Sequence, residues 1–263
     1  MTTRRRWLGA TLALGLAGGG HVGAASAADL PGLIAAARPS VLPVGTFSAT
    51  DSPRFGFRGT GFVVGDGTLV ATNFHVLAPG ADTSEPGTGP QMMVMLGRSG
   101  EQSIGRRARV VATDRARDLA LLRIEGPPLK PLELAEAGSA REGQDIALMG
   151  FPIGGTLGFA PVTHRGIVAS ITTAALPAAT ASNLDPRALL RLREGNFELL
   201  QLDATAYPGN SGGPVFDTAT GRVIGLVNMV LVKAGRESAL SAPTGISYAV
   251  PVAALRALMT DIR

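Results

Sequence analysis

The chain has 263 residues, 45% hydrophobic and 17% charged, with 35 Gly, 18 Pro, three His and no Cys. Aliphatic content this high with so few charges describes a globular protein and excludes a disordered one, while the missing Cys excludes a disulfide scaffold, thiolate catalysis and a cysteine-built zinc site. Most of the formal charge of +4 comes from Arg4, Arg5 and Arg6, and a chain nearly neutral beyond them argues against a nucleic-acid partner.

Those three arginines precede an apolar, glycine-containing run, 8–17, and then Ala25-Ser26-Ala27. The order is that of the n-region, h-region and cleavage site of a secretory signal, which assigns residues 1–27 to a signal peptide. The run is too short to span a bilayer, which takes roughly 20 apolar residues. Thr3-Arg4-Arg5-Arg6-Trp7-Leu8 is also similar to a twin-arginine export signal, so the export route stays open between that and Sec. The expected location is periplasmic or secreted, with no membrane span left after cleavage.

A first short helix is expected at 33–38. Short β-branched runs punctuated by Gly and Pro then predict strands at 41–47, 59–64, 68–72, 92–96, 109–112, 119–124, 146–149, 162–171, 199–202, 223–232 and 246–250, with a further one starting at Val215-Phe216. Residues 79–90, rich in Pro and Gly, and 174–184, rich in Ala, Thr and Ser, read as loops. A second helix is expected at 185–193, where Pro186 follows an acidic cap. A third is expected at 251–262, where Val252, Leu255, Leu258 and Met259 share one face. Strands this dense imply an all-β sandwich or barrel. No internal repeat is visible, and the proline-rich stretch 125–131 is a candidate crossover between two halves.

His21 leaves with the signal, so His75 and His164 are the imidazoles available as a base near neutral pH. With no Cys and two His, neither a transition-metal site nor any other cofactor is expected. His75 ends the run Leu69-Val70-Ala71-Thr72-Asn73-Phe74-His75-Val76, where a strand gives way to a loop; His164 lies inside a predicted strand.

The segment Pro208-Gly209-Asn210-Ser211-Gly212-Gly213-Pro214 is the most informative. A serine hydroxyl becomes a nucleophile when it is exposed, activated by a base and faced by oxyanion donors. Glycines around Ser211 allow a sharp turn in which the amides of Gly209 and Ser211 face one hollow. The string also satisfies Gly-x-Ser-x-Gly, but that hydrolase elbow needs its His downstream of the serine, and none follows Ser211. The order His, Asp, Ser fits the chymotrypsin arrangement instead. Asp118, directly before the apolar run Leu119-Ala120-Leu121-Leu122, is preferred as the acid over Asp114, which sits among arginines and is expected to be salt-paired.

These segments resemble the trypsin-like serine proteases of the HtrA (Deg) family. The matching pieces are Pro39-Ser40-Val41, Gly59-Thr60-Gly61-Phe62-Val63, Thr72-Asn73-Phe74-His75-Val76, Asp118-Leu119-Ala120, Gly150-Phe151-Pro152, Gly166-Ile167-Val168-Ala169-Ser170, Asp203-Ala204, the serine string, and Gly245-Ile246-Ser247-Tyr248-Ala249-Val250-Pro251. They cover nearly all of residues 38–255 in order. The resemblance implies an all-β, chymotrypsin-like fold of two six-stranded barrels, at about 40–125 and 140–250, within a protease domain at 28–263 that ends in a C-terminal helix.

The implied catalytic residues are His75, Asp118 and Ser211, with an oxyanion hole from the amides of Gly209 and Ser211. The resemblance also places Thr205 at the floor of the primary specificity pocket and Asn228 on its opposite wall, and makes Asp203 a structural acid. Family members usually carry a PDZ domain after the protease; here Pro251 is followed closely by the end of the sequence given, and a protease domain without PDZ is expected. Animal trypsins have Cys after the catalytic His, where Val76 stands here. The expected function is an exported serine endopeptidase acting through an acyl-enzyme; the alternative is a protein-binding or chaperone-like module with a latent triad. Expected partners are polypeptides, unfolded proteins among them, with homo-oligomerisation left open.

Overall fold

A computed structural model describes residues 29–82, 91–99, 102–152, 159–173, 197–228 and 245–262. Helix α1 spans Leu30–Ala37, three residues earlier than expected, because Pro31 is tolerated in a first turn that needs no donor there. A single 3-10 turn, Arg38–Ser40, leads into the sheets.

Among the described residues twelve strands follow: β1 Val41–Phe47, β2 Phe55–Val64, β3 Leu69–Asn73, β4 Met92–Ser99, β5 Gln102–Asp114, β6 Leu119–Ile124, β7 Asp145–Gly150, β8 Val162–Thr173, β9 Glu198–Asp203, β10 Pro214–Asp217, β11 Val223–Val227 and β12 Ile246–Pro251. Helix α2, Val252–Thr260, buries Val252, Leu255 and Leu258, the face its spacing predicted. The strand predicted at 223–232 ends at Val227. The helix expected at 185–193 and the loop at 174–184 lie outside the described residues, as does the segment 1–27.

All strand pairs are antiparallel and close into two barrels, β1-β2-β3-β6-β5-β4 and β10-β11-β12-β9-β8-β7. Read from β7, the second has the same strand order as the first, so the chain repeats one topology without repeating its sequence. Closure removes the open edges that would otherwise pair with other chains. The register shifts mark bulges at Arg58 in β2, Leu96 in β4, Val111 in β5, Ala169 in β8 and Ile224 in β11, of the kind that bend strands at barrel corners.

Three apolar clusters follow from the period-two alternation of the strands. Along β6, Ala120, Leu122 and Ile124 point into the first barrel with Leu42, Val44, Val63 and Val70. The alternate residues, Leu119 and Leu121, point the other way, into a second cluster. There they meet Phe62 and Ala71 from the first barrel, Met149, Phe151, Phe216 and Leu226 from the second, and Leu255 and Leu258 of α2. The third cluster fills the second barrel around Ile146, Leu148, Val168, Leu202, Val215 and Ile224. This explains why β3 and β11 are buried along their whole length. Both faces are covered, one by their own barrel and one by the neighbouring barrel or helix.

The crossover expected at 125–131 runs as predicted. Leu129 N–H bonds to the Gly67 carbonyl and Leu132 N–H to that of Val63, both in the first barrel; Ala135 N–H then reaches Val223 in the second. No described helix is long and apolar enough to cross a membrane.

Candidate active site

Strand β3 ends at Asn73 and passes into one 3-10 turn, Phe74–Val76, which carries His75. The turn is held against the start of β6 by Asp118, the residue immediately before that strand. The Asp118 carbonyl accepts the Phe74 N–H and Asn73 Nδ2, each at 3.0 Å. One carboxylate oxygen, Oδ1, accepts the His75 backbone N–H at 2.9 Å. The other, Oδ2, lies 2.6 Å from His75 Nδ1 and accepts Asn228 Nδ2 at 3.0 Å.

Asp118 is buried, and it is the only non-glycine described residue in the left-handed backbone region, at φ 57°. Asp tolerates that region better than most residues, and several hydrogen bonds over-determine the conformation here. An ionised carboxylate accepts only, so the proton of neutral His75 sits on Nδ1 and Nε2 is left as the basic nitrogen. The His75 side chain keeps 19% of its surface accessible against 7% for Asp118. Asp114 does not share this arrangement. Its carboxylate takes the Arg117 N–H at 2.9 Å and Arg117 Nη1 at 2.8 Å, the salt-paired role expected for it.

Ser211 lies in a doubled turn between β9 and β10. Asn210 N–H bonds to the Tyr207 carbonyl, Gly213 N–H to that of Asn210, and Gly212 N–H to that of Val227. Gly209 and Gly212 have φ of 102° and 83°; a Cβ on either would sit 2.2 Å from the Phe151 or the Thr60 carbonyl oxygen respectively. Only glycine fits both the angle and the space.

The turn is docked on the first barrel through Thr60, whose N–H donates to the Ser211 carbonyl at 2.9 Å and whose Oγ1 donates to the Gly209 carbonyl at 2.6 Å. Gly212 packs against Thr72 and Asn73, and Gly59 lies between Val76 and the Ser211 carbonyl, so the serine loop meets the end of the strand that leads to His75. Among the described residues, neither the Gly209 nor the Ser211 N–H donates a hydrogen bond, and the Ser211 Oγ engages no partner.

The remaining site residues divide. Thr205 is partly buried between Ala204 and Ala206, which belong to the second-barrel core. Asn228, expected on the pocket wall, is buried with its amide on Asp118. Asp203, expected as a structural acid, is exposed at the end of β9, and its carboxylate takes no hydrogen bond among the described residues. The strand end leaves it in water. His164 lies in β8 beside Tyr207, ring centroids 5.6 Å apart, away from Asp118; burial pulls its imidazole below the usual value.

Three contributors escaped sequence reasoning. Thr60 and Asn73 were visible only as members of the motifs Gly59-Thr60-Gly61 and Asn73-Phe74-His75. Arg58 clamps the loop after His75, with Nε on the Val76 carbonyl at 2.6 Å and Nη2 on that of Leu77 at 2.8 Å; burial lowers its guanidinium below the ordinary value.

The family described as trypsin-like peptidase domain matches residues 59–226. A probable periplasmic serine endoprotease, DegP-like, of Pseudomonas fluorescens is 29% identical over 194 residues, which is 74% of this chain and 32% of that protein. A protein of the same description from a Marinomonas strain is 31% identical over 193 residues, 73% of this chain and 33% of its own length. The chain thus spans about a third of the length of these curated relatives. Among solved structures, Deg5 has a TM-score of 0.58 at 24% identity, covering 86% of this chain and 90% of that one. The Rv3671c protease in its inactive form has a TM-score of 0.57 at 21% identity, covering 88% and 92%. These likenesses carry the same double-barrel fold, and the resemblance to HtrA proteases read from the motifs stands. With the family match extending from the strand that docks the serine loop to the strand before Asn228, the chain belongs to the trypsin-like peptidase family.

Proposed function

We propose that the chain is an exported serine endopeptidase. Ser211 Oγ attacks the scissile carbonyl, His75 Nε2 takes its proton and later returns it to the leaving amine, and Asp118 holds the imidazole. The amides of Gly209 and Ser211 receive the oxyanion; the resulting acyl-enzyme is hydrolysed by water along the same route. These roles are those of the general Ser-His-Asp template. The observation that carries the reading is the 2.6 Å contact of His75 Nδ1 with a buried, multiply bonded Asp118, which leaves Nε2 as the base. The two unengaged amides beside Ser211 supply the donors that developing charge requires.

The second reading, a polypeptide-binding module with a latent triad, draws on the unengaged Ser211 Oγ. Ligand-free sites often tighten this hydrogen bond only with substrate, so the endopeptidase reading is preferred. Labelling by a fluorophosphonate probe, read as a mass shift, separates the two. The wild type should label and hydrolyse a peptide amide, while Ser211→Ala and His75→Ala should do neither. An unlabelled, folded wild type would establish the latent module.

Substrates are read as polypeptides. A neutral Thr205 in place of an acid favours a small or medium aliphatic side chain before the cut, because a buried, unpaired Arg or Lys costs several kcal/mol or more. Cleavage-site profiling by mass spectrometry tests this, and a dominant Arg or Lys would overturn it. Export rests on the 1–27 segment and predicts a mature N-terminus at Ala28, readable by N-terminal sequencing of envelope protein.

A further inference from the structure

One residue of the first barrel holds two carbonyls of the serine loop in the second. Thr60 is fully buried in β2. Its N–H donates to the Ser211 carbonyl at 2.9 Å, and its Oγ1 donates to the Gly209 carbonyl at 2.6 Å. The same Oγ1 accepts the Phe151 N–H at 3.1 Å, and the Thr60 carbonyl accepts Thr72 Oγ1 at 2.7 Å. Since the hydroxyl accepts from Phe151, its single proton is directed to Gly209.

The peptide planes around the nucleophile are then pinned one by one. The Gly209–Asn210 plane is held by Thr60 Oγ1 on its oxygen and the Tyr207 carbonyl on its N–H. The Asn210–Ser211 plane, which carries the Ser211 N–H, is held by Gly213. The Ser211–Gly212 plane is held by the Thr60 N–H and the Val227 carbonyl. The plane before them, Pro208–Gly209, carries the Gly209 N–H and has no hydrogen bond of its own among the described residues. Its orientation rests on the torsions of Gly209, a residue with unusual rotational freedom. The nearest fixed point is the Gly209 carbonyl on the Thr60 hydroxyl.

We propose that the Thr60 hydroxyl is a positioning residue for oxyanion stabilisation: by anchoring the Gly209 carbonyl across the barrel interface, it holds the Gly209 N–H toward the reacting oxygen. The inference rests on the Ser211 reading above. Thr60 touches no substrate; it acts through Gly209. A hydroxyl at this site is worth more than its own hydrogen bond, because oxyanion donors act only when held in place before charge develops.

The test compares Thr60→Val, which keeps the shape and loses the hydroxyl, with Thr60→Ser, which keeps the hydroxyl. The readouts are kcat and KM on a peptide amide, together with affinity for a peptidyl boronate, whose tetrahedral adduct places an oxygen in the hole. Thr60→Val is expected to lose about 10²-fold in kcat, the scale of one misplaced oxyanion donor. Boronate affinity should fall in parallel, with KM nearly unchanged, and Thr60→Ser should restore both. An unchanged kcat in Thr60→Val, or equal losses in the valine and serine variants, overturns the inference. Should Thr60→Val fail to fold, Thr60→Cys, a weak donor of similar shape, must lose kcat and boronate affinity together; an unchanged kcat again overturns it. A wild type inert to both amide and fluorophosphonate defeats the protease reading itself, an outcome distinct from an active wild type with an equally active valine variant.

Discussion

Asn228 of the second barrel donates from Nδ2 to Oδ2 of Asp118 in the first, a 3.0 Å hydrogen bond between residues 110 apart in the chain. The same oxygen faces His75 Nδ1. The acid beside the imidazole is therefore itself held from the other barrel. Removing the amide leaves a buried carboxylate oxygen one donor short, a loss of roughly 1.5–3 kcal/mol for a hydrogen bond to a charged group. Asn228→Ala is expected to lower kcat/KM by about 10- to 10²-fold, since 1.36 kcal/mol corresponds to a factor of ten. Fluorophosphonate labelling should slow in step. If the variant instead changes which side chain is accepted before the cut and leaves kcat intact, Asn228 is a pocket wall.

That relationship marks the limit of what the residues alone disclose. The pairing of His75 with Asp118 and the salt-paired place of Asp114 were legible, because an acid opening an apolar strand must be buried and one among arginines need not be. The strands β1 and β6 were legible to the residue, bounded as they are by turn signals and filled with aliphatics. Strand β5 was expected at 109–112 and spans Gln102–Asp114. Its early part carries Arg106 and Arg107, and a search for apolar runs passes over a strand whose residues stay half-exposed. Nor does sequence show where Thr60 and Asn228 point. Their partners lie about 150 and 110 positions away, respectively, and become neighbours only when the barrels close on one another.

Arg58 predicts a brace for the histidine loop. Its fork holds the carbonyls of Val76 and Leu77 directly after His75, in a chain without disulfides. Arg58→Met keeps the aliphatic stem and removes both donors. A loss of about 1–2 kcal/mol is expected, discounted from two charge-assisted bonds for the exposure of the head group. In a domain of this size that lowers Tm by roughly 2–8 °C. Arg58→Lys, a point charge without the fork, should recover less than half of it. Equal Tm values for the methionine variant and the wild type would remove the brace.

Gly59 and Val76 predict a coupled pair. A Cβ on Gly59 would stand 2.6 Å from Val76 Cγ2 and 3.0 Å from the Ser211 carbonyl oxygen. Val76 is itself fully buried. Gly59→Ala is expected to cost roughly 1–3 kcal/mol through overpacking and to slow hydrolysis by displacing the serine loop. Val76→Ala alone leaves a cavity and also destabilises. Combined, each change makes room for the other, so the double variant should be more stable than the sum of the two losses, by roughly 0.5–3 kcal/mol. Strict additivity in denaturant unfolding would mean that the methyl contact does not limit the site.

His164 gives the last prediction, and its sign follows from burial. The imidazole sits in β8 opposite Leu148 and beside the Tyr207 ring, with Nε2 buried and unpartnered among the described residues. The neighbouring Arg165 faces Asp145 at 3.6 Å in an exposed pair. Burial therefore lowers the His164 pKa below the ordinary value of 6.5. Between that lowered value and 6.5 the unfolded chain binds a proton that the folded chain does not. The contribution to stability is fully present above about pH 6.5 and is lost as pH falls toward the folded pKa. His164→Phe keeps a ring on Tyr207 and cannot titrate. Between pH 7 and pH 5 the wild type should lose more Tm than this variant, contributions common to both proteins cancelling in the comparison. At neutral pH His164→Phe should hydrolyse peptides at close to the wild-type rate, whereas His75→Ala should not hydrolyse them at all. An inactive phenylalanine variant beside an active His75→Ala would move the general base from the Asp118 loop to β8.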